Sequence, residues 1–259
     1  MSLGFSVYFG LDNSMEENIK LLIDAKKMGF SRIFTSLHVP EADYKILIDE
    51  VKEFFRIAKD YQMDIISDVS PNTFKFLNIE NMNLKELKNL GVKTLRIDFG
   101  YSEEEIVKMS KNTYGIKLQL NASTVTEEFL MKLGRMGMDY DNVDALHNFY
   151  PREGTGISEE CMVEKNFILS NRGIEVGAFI ESNNRKRSPL KNGLPTLEEH
   201  RGKEVRNCAN HLFALGNTSV FIGDSLPSYE ELKNLSQLRQ DAIELRIKLK
   251  VHDKIIEEL

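Results

Sequence analysis

Short runs of β-branched and apolar residues alternate along this chain with longer stretches in which apolar positions recur every three or four residues. The runs fit strands buried on both faces, and the stretches fit helices with one apolar side. The first pair is Phe5-Ser6-Val7-Tyr8-Phe9, then the capping triplet Asp12-Asn13-Ser14, then a helix carrying Ile19, Leu22, Ile23 and Met28 on one face and stopping at Gly29. Further strands are predicted at Arg32-Ile33-Phe34-Thr35, Asp64-Ile65-Ile66-Ser67, Thr94-Leu95-Arg96-Ile97, Lys117-Leu118-Gln119-Leu120, Val143-Asp144-Ala145-Leu146, Val176-Gly177-Ala178-Phe179-Ile180 and Ser219-Val220-Phe221-Ile222, eight in all. Helices are predicted between them at about 44–61, 84–90, 103–110, 126–136, 158–172, 197–214 and 228–236. Ser102, Thr126, Ser158, Thr196 and Ser228 stand at their starts as capping residues. Gly29, Gly91, Gly173 and Gly216 stand just before the next strand, where a helix commonly ends on a left-handed residue.

Eight βα units in 259 residues predict an α/β fold of the (β/α)8 TIM-barrel type, whose usual length is ~250 residues. A doubly wound open sheet is the alternative, but no GxGxxG follows the first strand. From Ile243 the pattern changes to strict alternation, with Ile243, Leu245, Ile247, Leu249 and Val251 apolar and the residues between them polar. That period belongs to a strand with one wet face, for which a closed eight-stranded barrel has no place. The predicted domains are therefore a barrel over 1–236 and, over 237–259, a linker and the first strand of an incomplete second β domain. A helix continuing from Leu235 is the alternative.

Charge and composition narrow the function classes. With 34 Lys+Arg against 40 Asp+Glu and a net charge of -6, neither a nucleic-acid surface nor a polybasic membrane patch is expected. No window approaches ~18 apolar residues and no charged segment with an apolar run opens the chain, so a cytoplasmic location is expected. Cys161 and Cys208 fall in no CxxC or Cys/His metal spacing and read as reduced structural thiols. His38 and His147 lie in no metal-binding motif, and His200 and His211 fall in a predicted helix, so neither a metal nor a cofactor is expected.

In a barrel of this type the residues just after each strand converge on one rim, where active sites are built. Here those positions supply Asp12, Asn13, Ser36, His38, Asp68, Asp98, Tyr101, Asn121, Ser123, His147, Asn148, Tyr150, Arg152, Glu181 and Asp224. Such a density of carboxylates, amides and hydroxyls suits a polyhydroxylated substrate. Asp68 and Asp98 each close an apolar strand, where burial and a neighbouring carboxylate can split two pKa values into acid and base roles. That division is what glycoside hydrolysis requires; capping of the following turn is the structural alternative. Arg152, ahead of Gly154-Thr155-Gly156, and the loop Arg185-Lys186-Arg187 with Arg201 are the candidate anion holders.

The blocks Asp68-Val69-Ser70-Pro71, Leu95-Arg96-Ile97-Asp98-Phe99-Gly100, Asn121-Ala122-Ser123-Thr124, His147-Asn148-Phe149-Tyr150-Pro151-Arg152 with Thr155-Gly156, Gly193-Leu194-Pro195-Thr196-Leu197-Glu198 through His200-Arg201, and Phe221-Ile222-Gly223-Asp224 resemble the MupG-type 6-phospho-N-acetylmuramidase family. The resemblance runs through the whole predicted barrel. It implies a TIM barrel followed by a smaller cyclophilin-like β domain. It also implies hydrolysis of the β-1,4 bond of N-acetylmuramic acid 6-phosphate–N-acetylglucosamine in peptidoglycan (cell-wall) recycling. One departure is Glu181-Ser182, where the family usually has Pro-Gly, so Glu181 stays outside the catalytic pair.

The resulting expectation is a glycosidase with Asp68 and Asp98 as the carboxylate pair, one protonating the glycosidic oxygen while the other attacks C1 or activates water. Asn121, Ser123, His147, Asn148, Tyr150 and Asp224 would bind sugar hydroxyls or the acetamido group, and Arg152 and Arg201 the phosphate or the lactyl carboxylate. The partner is then a small phosphorylated amino-sugar disaccharide, with no nucleic acid, no membrane and no cofactor; a homo-oligomer is left open. Two rivals remain: a phosphosugar isomerase or lyase using His147 to shuttle protons, and a sugar-phosphate binding protein without catalysis.

Overall fold

The apolar runs form eight strands: β1 (Ser2–Val7), β2 (Arg32–Ser36), β3 (Asp64–Val69), β4 (Val92–Ile97), β5 (Lys117–Asn121), β6 (Val143–Leu146), β7 (Glu175–Ile180) and β8 (Ser219–Ile222). In the computed structural model, which describes residues 1–37, 44–69, 79, 83–97, 100–239 and 242, they pair in parallel and in chain order. Pairing of β1 with both β2 and β8 closes the barrel, so the chain adopts the expected TIM-barrel fold. Among the described residues the connecting α-helices are α1 (Met15–Lys27), α2 (Tyr44–Asp60), α3 (Leu84–Leu90), α4 (Glu103–Ser110), α5 (Glu127–Arg135), α6 (Glu159–Ser170), α7 (Val205–Ala214) and α8 (Tyr229–Ser236). None of them is long and apolar enough to cross a membrane.

Helix boundaries follow from local chemistry. At Ser14, Ser102 and Ser228 the hydroxyl accepts from the backbone N–H three residues on, and Glu17, Glu105 and Glu231 accept the reciprocal bond. Gly91 closes α3 at φ +106°, a conformation that a β-carbon resists. The helix expected over 197–214 is instead two pieces, a 3-10 turn at Glu198–His200 and α7 at Val205–Ala214. Gly202, at φ +72°, stands between them, and the carboxylate of Glu204 caps α7. Thr196 is therefore not a cap: its hydroxyl accepts from the N–H of Phe179 and donates to the carbonyl of Asn148, joining β7 to the segment after β6. β1 starts earlier than predicted and stops at Val7, which leaves Tyr8 on the rim. The strand predicted from Ile243 lies outside the described residues.

The strands bury polar side chains among the apolar ones. A Cβ on Gly4 would stand 2.3 Å from the ring of Phe221, so glycine there lets Phe221 fill the lumen. The guanidinium of Arg32 lies 5.4 Å from the same ring and donates to Asp144 Oδ2 at 2.6 Å, across the barrel from β2 to β6. Gln119 on β5 donates to the other oxygen of Asp144 at 2.9 Å. This buried pair closes the floor beneath the C-terminal mouth.

Candidate active site

The strand register assembles the mouth. β2 sets Ser36 beside Asp68 of β3, and β3 sets Asp68 beside Arg96 of β4. Ser36 donates to Asp68 Oδ2 at 3.3 Å. Arg96 is buried and donates to the carbonyl of Leu146 at 2.7 Å and to Asn148 Oδ1 at 2.6 Å, which fixes the segment leaving β6. Together Phe34, Asp68, Arg96, Asn148, Phe149 and Phe179 line a cavity of about 210 Å³. Its aromatic wall is built of edge-to-face pairs, Phe34–Phe179 and Phe149–Phe179 both at 5.2 Å between centroids.

Tyr8 and Arg187 extend that wall. Tyr8 packs edge-on against Phe149, and its hydroxyl donates to the carbonyl of Gly223 at 2.7 Å. The guanidinium of Arg187 lies 4.6 Å from the Tyr8 centroid and 5.8 Å from that of Phe149, a cation held over two ring faces. Its Nε is buried and finds no hydrogen-bond partner among the described residues. The hydroxyl of Tyr101 is likewise buried with no partner among them. Burial first, and then the charges of Asp68 and Glu105, hold this phenol above its ordinary pKa and keep it protonated.

The residues expected to bind substrate divide into two groups. Asn148 lines the cavity, and Tyr150 and the exposed Arg152 follow it on the rim. Asn121 accepts from the N–H of Ser123 at 3.1 Å and lines a neighbouring cavity with Ile97, Ile106, Leu120, Thr124, Val125 and Phe129. Ser123 accepts from the N–H of Asn148 at 3.0 Å. Asp98 and His38 lie outside the described residues.

Three expected contacts are corrected. His147 is fully buried, with Nδ1 3.1 Å from Ser123 Oγ and Nε2 3.0 Å from Asn166 Oδ1. Asn166 Nδ2 donates to the carbonyl of Leu215, which turns its oxygen toward the ring and assigns the His147 proton to Nε2. The ring therefore aligns Ser123 and Asn148 instead of touching substrate. Arg201 grips Glu198 with Nε at 2.7 Å and Nη2 at 2.8 Å, and donates to the carbonyls of Tyr150, Arg152, Asn192 and Gly193. All its donating nitrogens are engaged in clamping two loops, and none is left for an anion. Asp224 is fully buried and accepts from the N–H groups of Ser182, Arg187 and Leu194. Burial pushes its pKa up to about 6 against those bonds, and the bond from Arg187 places that residue's backbone. Within the basic loop, Arg185 is paired with Glu17 at 2.9 Å and Lys186 faces Glu181 at 3.4 Å, so Arg187 is the member turned to the mouth. Glu181 is buried and accepts from the N–H of Gly202.

The family model for 6-phospho-N-acetylmuramidase, N-terminal (MupG_N), matches residues 3–237. The chain belongs to this family. The MupG_N family carries the name of a glycoside hydrolase. Two solved structures resemble the chain at family level. An uncharacterized B. cereus protein is 32% identical with a TM-score of 0.80, over 92% of this chain and 65% of that one. A conserved protein of unknown function from Enterococcus faecalis is 33% identical with a TM-score of 0.81, over 92% and 66%. The chain thus spans just under two thirds of those relatives' length. Thiamine phosphate pyrophosphorylase from Pyrococcus furiosus, 12% identical with a TM-score of 0.53 over 90% of this chain and 93% of that one, shares the fold. Among curated proteins none matches the chain. Within this MupG_N domain, sequence reading missed Tyr8 and Arg96 as rim residues and named Arg187 only together with Arg185 and Lys186. Arg96 sits mid-strand, and its inward direction follows only from the register; Tyr8 was counted inside β1; Arg187 is one of three basic neighbours that sequence alone does not rank.

The buried imidazole makes a pH signature. Burial pushes the pKa of His147 from 6.5 down to about 4, against the bond to Asn166 that raises it. The unfolded chain therefore binds more protons between those values, and the contribution of neutral His147 is present above pH 6.5 and lost as pH falls toward 4. From pH 7 to pH 4.5 the loss is about 2.5 kcal/mol. Urea unfolding of wild type and His147→Gln at both pH values is expected to show the gap between them shrinking by that amount, with an unchanged gap counting against it. Asp224 shifts in the opposite direction but is common to both proteins and cancels.

Proposed function

We propose that this protein is a glycoside hydrolase that cleaves N-acetylmuramic acid 6-phosphate–N-acetylglucosamine, a peptidoglycan fragment recycled in the cytoplasm. The observation that carries the reading is Asp68 in an aromatic-walled cavity at the barrel mouth, with Arg187 stacked on that wall, in a chain of the MupG_N family. Asp68 and Asp98, which follows β4 directly in sequence, form the carboxylate pair. One delivers a proton to the glycosidic oxygen as the C1–O bond breaks; the other attacks C1 or takes a proton from the attacking water. The half-buried ring of Phe149, which lines the cavity, packs against the apolar face of a sugar. Asn148 and the protonated hydroxyl of Tyr101 bond sugar oxygens, with Asn121, Ser123 and Tyr150 at the edge of the same rim.

Arg201 is fully engaged, so Arg187, with Arg152 on the rim, takes the anionic groups of the substrate. Arg187→Met keeps the stem packed on Tyr8 and removes the charge. It is expected to raise KM for the phosphorylated disaccharide about 10- to 100-fold, the worth of charge-assisted hydrogen bonds, with kcat nearly unchanged. Equal effects on the phosphorylated and unphosphorylated disaccharides would sink that assignment. The isomerase reading loses its proton shuttle, because both ring nitrogens of His147 are bonded inside the protein.

The reading is tested by incubating the protein with the phosphorylated disaccharide and its unphosphorylated counterpart and following the products by mass spectrometry. Cleavage of the phosphorylated form alone is the expected result. Absence of cleavage, both by this chain and by a chain extended to the length of its relatives, would overturn it.

A further inference from the structure

In the connection between β7 and α7 and on α7 itself, the fold brings three metal-ligating side chains together. Glu199 and His200 come from the 3-10 turn at Glu198–His200, and His211 comes from α7. One carboxylate oxygen and one ring nitrogen from each histidine all lie within 4.8 Å of one another. His200 Nε2 is 2.9 Å from His211 Nδ1, and His211 Nδ1 is 3.6 Å from Glu199 Oε1. Ligands around a tetrahedral ion with bonds of ~2.0–2.1 Å stand about 3.4 Å apart. The observed spacings bracket that value, so movements of a few tenths of an ångström would fit the ion.

We propose that Glu199, His200 and His211 bind a divalent transition-metal cation of the zinc type, with water completing the coordination. The donor set, two imidazoles and a carboxylate, is the one borderline cations such as zinc prefer. His211 is backed by a further carboxylate. The other ring nitrogen of His211, Nε2, lies 3.5 Å from Oε2 of Glu159 at the start of α6, the carboxylate–histidine arrangement that leaves the opposite nitrogen as ligand. His200 is buried, and its Nδ1 finds no hydrogen-bond partner among the described residues. A proton shared by the two facing ring nitrogens would satisfy those two atoms, and when it sits on His200 Nε2 the Glu199 carboxylate faces the lone pair of His211 Nδ1. A cation among the three removes that repulsion.

The ion would be a staple rather than part of the hydrolysis. Glu198, next to Glu199 in the turn, accepts from the N–H groups of Gly154 and Gly156 and from Arg201, so the turn anchors the rim loop that carries Tyr150 and Arg152. Binding would lock that turn to α7 and raise Tm. The rival occupant of the same space is a proton, with His211 charged between Glu159 and Glu199.

The whole chain, stripped with a chelator, is titrated with Zn²⁺ by calorimetry and with Co²⁺ by visible absorption. One ion per chain, a four-coordinate Co²⁺ spectrum and a higher Tm are expected. His211→Ala, at a half-exposed position, is expected to abolish that stoichiometric binding, and Glu159→Gln to weaken it about 10-fold. Glu199→Gln, at an exposed position, separates the site from binding elsewhere and is expected to weaken it while leaving the apo-protein Tm unchanged. Failure of the wild type to bind Zn²⁺ saturably, or equal affinity in His211→Ala, would overturn the proposal, whatever the outcome with the disaccharide.

Discussion

Replacing Asp68 by Asn is expected to slow disaccharide cleavage by about 10²- to 10⁴-fold, the usual contribution of a positioned proton-transfer group, while KM and Tm stay close to wild type. The substitution keeps the side chain's size and shape and removes its charge. Asp68 Oδ2 accepts a bond from Ser36 Oγ at 3.3 Å, which an amide oxygen accepts equally well. The cavity, by contrast, loses its carboxylate. The same variant assigns the role. On an aryl glycoside with a good leaving group, loss of a general acid is largely rescued because the departing oxygen no longer needs a proton; loss of a nucleophile or base is not. Steady-state kinetics on both substrates, with Asp98→Asn measured alongside, separate the two carboxylates. Wild-type rates for Asp68→Asn on the natural disaccharide would remove Asp68 from the chemistry.

Sequence pattern reached the scaffold further than the site, and the reasons differ by residue. Strands and helix ends are local: Ser14 with Glu17, Ser102 with Glu105 and a left-handed Gly91 can be read from a few neighbouring letters. Parallel order then follows from the alternation of elements, and with it the rim on which Asp68 and Asn148 stand. What pattern cannot rank is how strongly a polar side chain is already engaged. Asp224 and His147 read as substrate ligands because they directly follow strands, and Arg201 because it is a cation beyond the basic loop. Each is bonded to groups roughly ten to fifty positions away in sequence, and only folding brings those partners to it. Arg187 is the converse: its neighbours Arg185 and Lys186 find carboxylates, while it meets two aromatic faces from the segments after β1 and β6. The split of 197–214 into a turn and α7 was hidden because its apolar spacing survives the break at Gly202.

Removing Asp144 is expected to cost about 3–5 kcal/mol, because it strands Arg32 in the barrel without its counter-charge. The side chain of Asp144 is 3% exposed and that of Arg32 13%, and the pair bridges two strands on opposite sides of the closed sheet. Asp144→Ala leaves Gln119 as well as Arg32 without an acceptor, since the Gln119 donor also ends on this carboxylate. For a chain of this size the loss lowers Tm by roughly 10 °C. The cost belongs to the broken pair and not to the presence of charge, which a double variant tests. Arg32→Met/Asp144→Leu replaces both ions with apolar volume against the ring of Phe221 and is expected to regain most of the loss, as buried pairs commonly do. Urea unfolding of wild type, Arg32→Met, Asp144→Leu and the double variant closes the thermodynamic cycle. If Asp144→Ala costs under about 1 kcal/mol, a typical exposed pair's worth, water reaches the pair and the floor of the mouth is wetter than its burial implies.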